Sequence, residues 1–250
     1  MKVGILIQAR ISSTRLPGKV LFKLGNTRFN SLNLIYERIS KKNITNLAKI
    51  VFLTSNNKCD DAIDYFCKSQ NYPVFRGEEK DVLDRYYQAA CKYNFDQIIR
   101  LTSDCPFIDP EEILRIYSIH NLEKNDYTTN SFEGSSIVDG CDVEVFNFLS
   151  LKKVHSLAYT TRDREHVTSF FSRENGFVCN YEDPGLTYPY TRLTLDTPED
   201  FKVISEIINK IKDPVNIRIE KLAKIYNEKG LSKYNNFIKR NSGWNKEEKS

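Results

Sequence analysis

Four short apolar runs alternate with amphipathic stretches through the first half of the chain, and that rhythm is the strongest constraint on its fold. The runs are Val3 to Ile7, Ile50-Val51-Phe52-Leu53, Pro73-Val74-Phe75 and Ile98-Ile99-Arg100-Leu101. Each is too short for a helix and lacks polar alternation, which suits a strand covered on both faces of a parallel sheet. Between and after them, helical spacing runs over residues 29–40 (Leu32, Ile35, Ile39), 59–70 (Ile63, Phe66, Cys67), 80–93 (Val82, Leu83, Tyr86, Ala90) and 110–122 (Ile113, Ile116, Tyr117). Strand, helix, strand, helix predicts right-handed βαβ units and an α/β fold with a mostly parallel sheet flanked by helices. Beyond about residue 125 the rhythm changes. Short strands near 126–129, 142–146, 176–181 and 191–195, with helices near 147–156, 163–173 and 198–211, predict a mixed-sheet extension of the same core. With no repeat and no Gly/Ser/Pro-rich linker, residues 1–240 read as a single domain and 241–250 as a polar, frayed tail.

At 250 residues and 40% apolar content the chain can bury a sizeable core, which excludes collagen-like and disordered classes. The formal net charge is only +4, too mild for a general nucleic-acid footprint. Six cysteines never approach C-x-x-C spacing, so buried free thiols in a reducing compartment are expected rather than disulfides or zinc. The opening Met1 to Ile7 turns polar at Gln8 too soon for a signal peptide, and no run reaches membrane-spanning length. A soluble, cytoplasmic protein is the expectation.

The segment after the first strand runs from Gln8-Ala9-Arg10 through Ser12-Ser13-Thr14-Arg15 to Gly18-Lys19. In open α/β sheets ligands bind beyond the carboxyl ends of strands. Hydroxyls, backbone N–H groups, an arginine fork and a lysine are what phosphate oxygens need, so this loop reads as a triphosphate site. It matches neither G-x-x-x-x-G-K-[ST] nor G-x-G-x-x-G, which disfavours P-loop and dinucleotide-binding domains.

Two acidic strand ends follow. Asp104, just past the fourth run, is placed to hold a hard cation such as Mg²⁺. Asp109 reads as a helix cap before Pro110. Asp196, in Arg192-Leu193-Thr194-Leu195-Asp196-Thr197-Pro198, could be no more than part of a helix start, as could Thr197. Its repetition of the Asp104 pattern favours a metal held between two carboxylates and a nucleotide. Asp142 and Glu144 lie two apart, on one face of a strand, with Val143 and Val145 on the other. They could bind acceptor hydroxyls or a cation, or simply face water. Glu165 and His166 open a further helical run, and His166 reads as a general base, as a substrate contact or as structural.

Taken together, these segments and Asp81-Val82-Leu83-Asp84-Arg85-Tyr86 resemble the cytidylyltransferase family of acylneuraminate and 3-deoxy-manno-octulosonate cytidylyltransferases, most closely its SpsF-like spore-coat polysaccharide branch. The resemblance spans about residues 1–205. It implies a nucleotide-diphospho-sugar transferase (GT-A-like, Rossmann-like) fold and transfer of CMP from CTP to an acceptor with release of pyrophosphate. It implies that Gln8, Ala9, Arg10, Arg15 and Lys19, with Ser13 and Arg100 beside them, bind CTP, and that Asp104 and Asp196 hold Mg²⁺ as catalytic residues alongside Arg15 and Lys19. Asp142, Glu144, Glu165 and His166 match the SpsF-like branch and are the candidate acceptor contacts. Ser103 stands where that branch usually has Gly, and Cys141 where Leu is common.

The expected partners are CTP and a small acidic-sugar or phosphorylated acceptor, with a homodimer allowed and neither nucleic acid nor membrane. Two other readings belong to different classes. A GT-A glycosyltransferase would consume a nucleotide sugar and usually carries Asp-x-Asp, where this chain has Asp142-x-Glu144. A non-catalytic module would bind CTP without turnover.

Overall fold

The computed structural model describes residues 1–40, 44–186 and 190–240. The expected tail lies outside them. A seven-stranded sheet is built from β1 (Val3–Gln8), β2 (Ala48–Ser55), β3 (Val74–Gly77), β4 (Gln97–Thr102), β5 (Tyr127–Thr129), β6 (Glu144–Asn147) and β7 (Cys179–Tyr181). Their order is β3-β2-β1-β4-β6-β5-β7. β1 pairs in parallel with β2 and β4, and β3 with β2. β6 runs antiparallel to both β4 and β5, while β7 is parallel to β5. One reversed strand thus joins the parallel half to the extension, the mixed α/β sheet expected.

Apolar alternation sorts the helices onto the two faces. Ile5, Ile7, Ile50, Phe52 and Ile99 pack with α1 (Ser31–Ser40), α3 (Asp61–Ser69) and α5 (Pro110–Glu123), while the short α2 (Ile44–Leu47) precedes β2. Leu6, Val51, Leu53 and Ile98 point the other way, onto α4 (Val82–Tyr93), α6 (Phe148–Leu157) and the start of α8 (Ser169–Arg173). Caps set the boundaries. Asp81 accepts from the Asp84 N–H at the start of α4, and Asp109 accepts from Glu111 N–H with Pro110 at the first helical position of α5, as the sequence predicts. At α9 (Pro198–Ile208), Thr197 and Asp200 form a reciprocal capping box.

Three expectations are corrected. The helix expected over 163–173 is broken into α7 (Thr161–His166) and α8, because Val167 adopts φ 64. Residues 191–195 form no ladder strand; only Arg192 makes an isolated bridge, to Asp139. Their period-two pattern is nonetheless real. Leu193 and Leu195 are buried against α9 and α10 (Ile219–Glu228), while Arg192, Thr194 and Asp196 face a cleft. The thiols are all free, but only Cys67, Cys105 and Cys141 are buried, with Cys179 intermediate and Cys59 and Cys91 exposed. A third apolar cluster gathers Leu193 and Leu195 with Val203, Ile204 and Ile207 of α9, and α10 and α11 (Ser232–Asn235) extend it beyond the elements that the sequence reading assigned.

Arg38 ties this third cluster to the sheet. Fully buried on α1, its guanidinium donates to the carbonyls of Ile108, Pro214 and Ile217 at 2.9, 2.6 and 2.9 Å, and to Phe107 at 3.3 Å. Among the described residues no helix is long and apolar enough to cross a membrane.

Candidate active site

The chain leaves β3 at one sheet edge and returns at β4 beside β1, so the connection reverses direction between β1 and β4, the place where open α/β sheets bind ligands. A cleft of about 630 Å³ opens there, and every residue singled out from the sequence lines it: Gln8, Ala9, Arg10, Ser13, Arg15, Lys19, Arg100, Asp104, Asp142, Glu144, Glu165, His166 and Asp196.

The loop after β1 is fixed from its far side. Ala9 N–H donates to Leu53 O at 2.8 Å, and Ile11 N–H to Asp60 Oδ1 at 2.7 Å. Asp60 is itself buried, its other oxygen taking the Ser55 hydroxyl at 2.5 Å and the Ser55 N–H at 3.2 Å. Ser13 and Gly18 N–H groups both return to Ile11 O, at 2.8 and 3.0 Å, and Gly18 turns the chain at φ 74, a conformation costly for a residue with a Cβ. The loop therefore folds back on itself and delivers Lys19 beneath Arg10, Ser13 and Arg15.

Lys19 Nζ lies 3.3 Å from Asp104 Oδ2 and 2.8 Å from Asp196 Oδ1. Two carboxylates 92 positions apart in number thus converge on one cationic nitrogen. Arg15 pairs with the second oxygen of Asp196. Burial works to lower the Lys19 pKa, but Asp104 and Asp196 outweigh it and hold the ammonium above its usual value. Burial likewise pushes against ionised Asp104, and Lys19 with the Thr102 hydroxyl overcomes it, so this carboxyl sits below the usual range. Asp196 is not the helix cap, a task taken by Thr197. Two hard oxygen donors facing a shared cation position are a donor set that suits Mg²⁺, whose remaining ligands are typically water and phosphate. The described residues contain no group of three or more His, Cys, Asp or Glu side chains gathered for a metal.

A second polar chain crosses the floor. Arg100, 6% exposed, donates to Gln8 Oε1 at 3.2 Å and pairs with Glu144. Glu144 also accepts from Tyr127 Oη at 2.7 Å and Thr168 Oγ1 at 2.5 Å. Arg100 and Glu144, separate sequence candidates for nucleotide and acceptor, are therefore one buried unit linking the two sides. Asp142, whose carboxyl burial raises, pairs with Arg240 at 2.7 Å. Asp142 and Glu144 share the cleft side and Val143 and Val145 the core, as alternation predicts, although β6 begins only at Glu144.

Sequence reasoning passed over Asp139, Arg192 and Asp200 as site residues. Arg192 grips fully buried Asp200 through two 2.9 Å bonds, reaches Asp139 at 2.6 Å and lies 3.9 Å from Asp196. At Asp139 burial, reinforced by the nearby Asp142 carboxylate, prevails over the Arg192 and Arg240 cations and pushes the carboxyl up to about 6. Asp60 was also missed. Its neighbours in sequence advertise only a helix start.

At the mouth, Arg10 and Glu165 face each other at 3.6 Å. Glu165 and His166 end α7, and Arg164 anchors that helix by pairing with Asp81 and donating to His155 O at 2.9 Å. Val167 then makes a γ-turn, φ 64 and ψ −55, closed by Thr168 N–H on His166 O at 2.6 Å. Such a turn is rare and strained, more so at a β-branched residue, and this one sets the direction of two cleft residues, His166 and Thr168.

A family model described as Cytidylyltransferase matches residues 4–239. The chain belongs to the cytidylyltransferase family. Members of this family are CTP-dependent nucleotidyltransferases. The chain is 38% identical to the uncharacterized protein MJ1063 of Methanocaldococcus jannaschii, over 89% of each chain. It is 32% identical to the spore coat polysaccharide biosynthesis protein SpsF of Bacillus subtilis, over 89% of this chain and 92% of that one. Among solved structures, a cytidylyltransferase from Leptospira borgpetersenii superposes with a TM-score of 0.83 at 31% identity, covering 92% of this chain and 95% of its own. The SpsF-like branch expected from the sequence agrees with these likenesses.

Proposed function

We propose that this protein transfers CMP from CTP to a small acidic-sugar or phosphorylated acceptor, releasing pyrophosphate, in surface polysaccharide or glycoconjugate biosynthesis. The carrying observation is the convergence of Asp104 and Asp196 on Lys19 beside the polar loop after β1. The polysaccharide context rests on the likeness to SpsF. The sheet order and the switch-point cleft support the GT-A-like assignment of the fold.

Nucleotidyl transfer is in-line attack on the α-phosphorus, with charge growing on non-bridging oxygens and on the departing pyrophosphate; positioned cations matter more than a covalent nucleophile. Arg15 and Lys19 neutralise the β- and γ-phosphates and the leaving group. Gln8, Ala9 and Arg10 hold the base and ribose, Ser13 adds a hydroxyl to the phosphate loop, and Arg100 orients Gln8 from below. Asp104 and Asp196 are the residues that would hold Mg²⁺, which supplies charge withdrawal from the phosphate oxygens when bound. Asp142, Glu144, Glu165 and His166 orient the acceptor on the β6 side of the cleft.

The test incubates the protein with each of the four nucleoside triphosphates and Mg²⁺ against a panel of acidic sugars and sugar phosphates, following pyrophosphate and the CMP-linked product. CTP-dependent release of both is expected. Release of nucleoside diphosphate from a nucleotide sugar, with no pyrophosphate from any triphosphate, would replace this reading with a glycosyltransferase.

A further inference from the structure

We infer that Lys19 closes the Asp104–Asp196 pair to a free divalent cation, so that metal enters only together with a nucleoside triphosphate. The inference deepens the function proposed above, since it rests on that pair being the metal site. Three facts carry it. The Lys19 ammonium bonds one oxygen of each aspartate, at 3.3 and 2.8 Å. Arg15 pairs with the remaining Asp196 oxygen, and Arg192 approaches the same oxygen at 3.9 Å. Lys19 is 6% exposed, so its ammonium has little water to turn to.

A divalent ion arriving alone would have to break both Lys19 contacts and leave a buried ammonium beside a double positive charge. Both are strongly unfavourable away from water. A triphosphate changes the balance, because its oxygens offer Lys19 and Arg15 new anionic partners at the moment the aspartates are released. Lys19 thus acts as a resident cation that holds the two carboxylates together and gives way only when it has phosphate to bind. The consequence is strong positive coupling between nucleotide and metal, which must be equal in both directions.

The experiment measures protein-retained Mn²⁺ by equilibrium dialysis, with and without a non-hydrolysable CTP analogue. Nucleotide-free wild type should retain no Mn²⁺ at concentrations where the analogue brings retention to one per chain. Lys19→Met should bind Mn²⁺ without nucleotide at least about tenfold more tightly than wild type, roughly the factor that 1.4 kcal/mol represents. Adding Asp104→Asn and Asp196→Asn to it should abolish that gain. Should Lys19→Met not fold, Lys19→Gln takes its place; with either variant, equal Mn²⁺ affinity of the wild type with and without nucleotide also overturns the inference. Retention with the analogue but no gain in either Lys19 variant overturns it and leaves the metal site standing. No retention by wild type under any condition, or retention indifferent to the double aspartate substitution, overturns the metal-site reading, and the inference with it.

Discussion

Asp60 reaches across from the start of α3 to accept the backbone N–H of Ile11 at 2.7 Å, and through that bond the loop carrying Arg10, Ser13 and Arg15 is fixed relative to the sheet. Four donors meet this one buried carboxylate, the weak Cys59 thiol at 3.9 Å among them. Asp60→Asn replaces one acceptor oxygen with a donor and must leave a donor facing a donor. CTP binding is expected to weaken roughly tenfold to a hundredfold, the scale set by small misplacements of binding groups. Calorimetric titration with CTP checks this, and an unchanged dissociation constant would show that the loop holds its shape without the latch.

Lys19→Ala should lower turnover by ~10²-fold or more, as removal of one charge-stabilising donor does. Asp104→Asn and Asp196→Asn should each remove Mg²⁺-dependent activity while unfolding remains cooperative. Pyrophosphate release at the wild-type rate by any of the three would refute the assigned role of that residue.

Arg38→Met tests the joint between the sheet and the C-terminal helices. The substitution nearly preserves volume but orphans carbonyls at residues 107, 108, 214 and 217. Leaving several buried acceptors unpaired should cost about 3 kcal/mol or more. Urea denaturation followed by circular dichroism would reveal the loss, and a midpoint within error of wild type would contradict it.

Asp139 makes stability fall as pH rises. Its carboxyl is pushed up to about 6 in the fold from the ordinary 3.8, so the folded state binds the proton more tightly than the unfolded chain. The stabilisation is complete below about pH 4 and disappears as pH climbs through about 6. Asp139→Asn removes this dependence. Relative to wild type, the variant should gain on the order of 1 kcal/mol or more between pH 4.5 and 7. Denaturation midpoints of both proteins at the two pH values decide it, and parallel pH curves would contradict the assignment.

The parallel core and the two aspartates were legible because each depends on local pattern: a short apolar run makes a buried strand, and an acid just beyond it faces the cleft. Residues 191–195 misled because period two reports which side chains are buried, and an extended segment can alternate without a ladder. Here Leu193 and Leu195 N–H groups donate instead to Asp139 O and Asp104 O, each at 2.7 Å. The break at Val167 left no mark in sequence, since valine is among the residues least suited to positive φ. Asp60 gave no signal because its role depends on Ile11, which only the tertiary fold brings near. α10 was legible and passed over: Ile219, Leu222, Ala223 and Tyr226 repeat at helical spacing and all are buried.

β4 has β1 beside it in parallel and β6 beside it reversed. Because β6 runs backwards, it is the start of that strand, not its end, that borders the site. Under the function proposed above, its two neighbours answer to different molecules: substitutions at Asp142, which pairs with Arg240 and stands outside the Arg100–Glu144 unit, are expected to retune which second substrate is accepted, while the nucleotide loop rooted in β1 on the other flank keeps its own contacts. A lineage could diversify its products along one seam of the sheet without rebuilding the chemistry along the other.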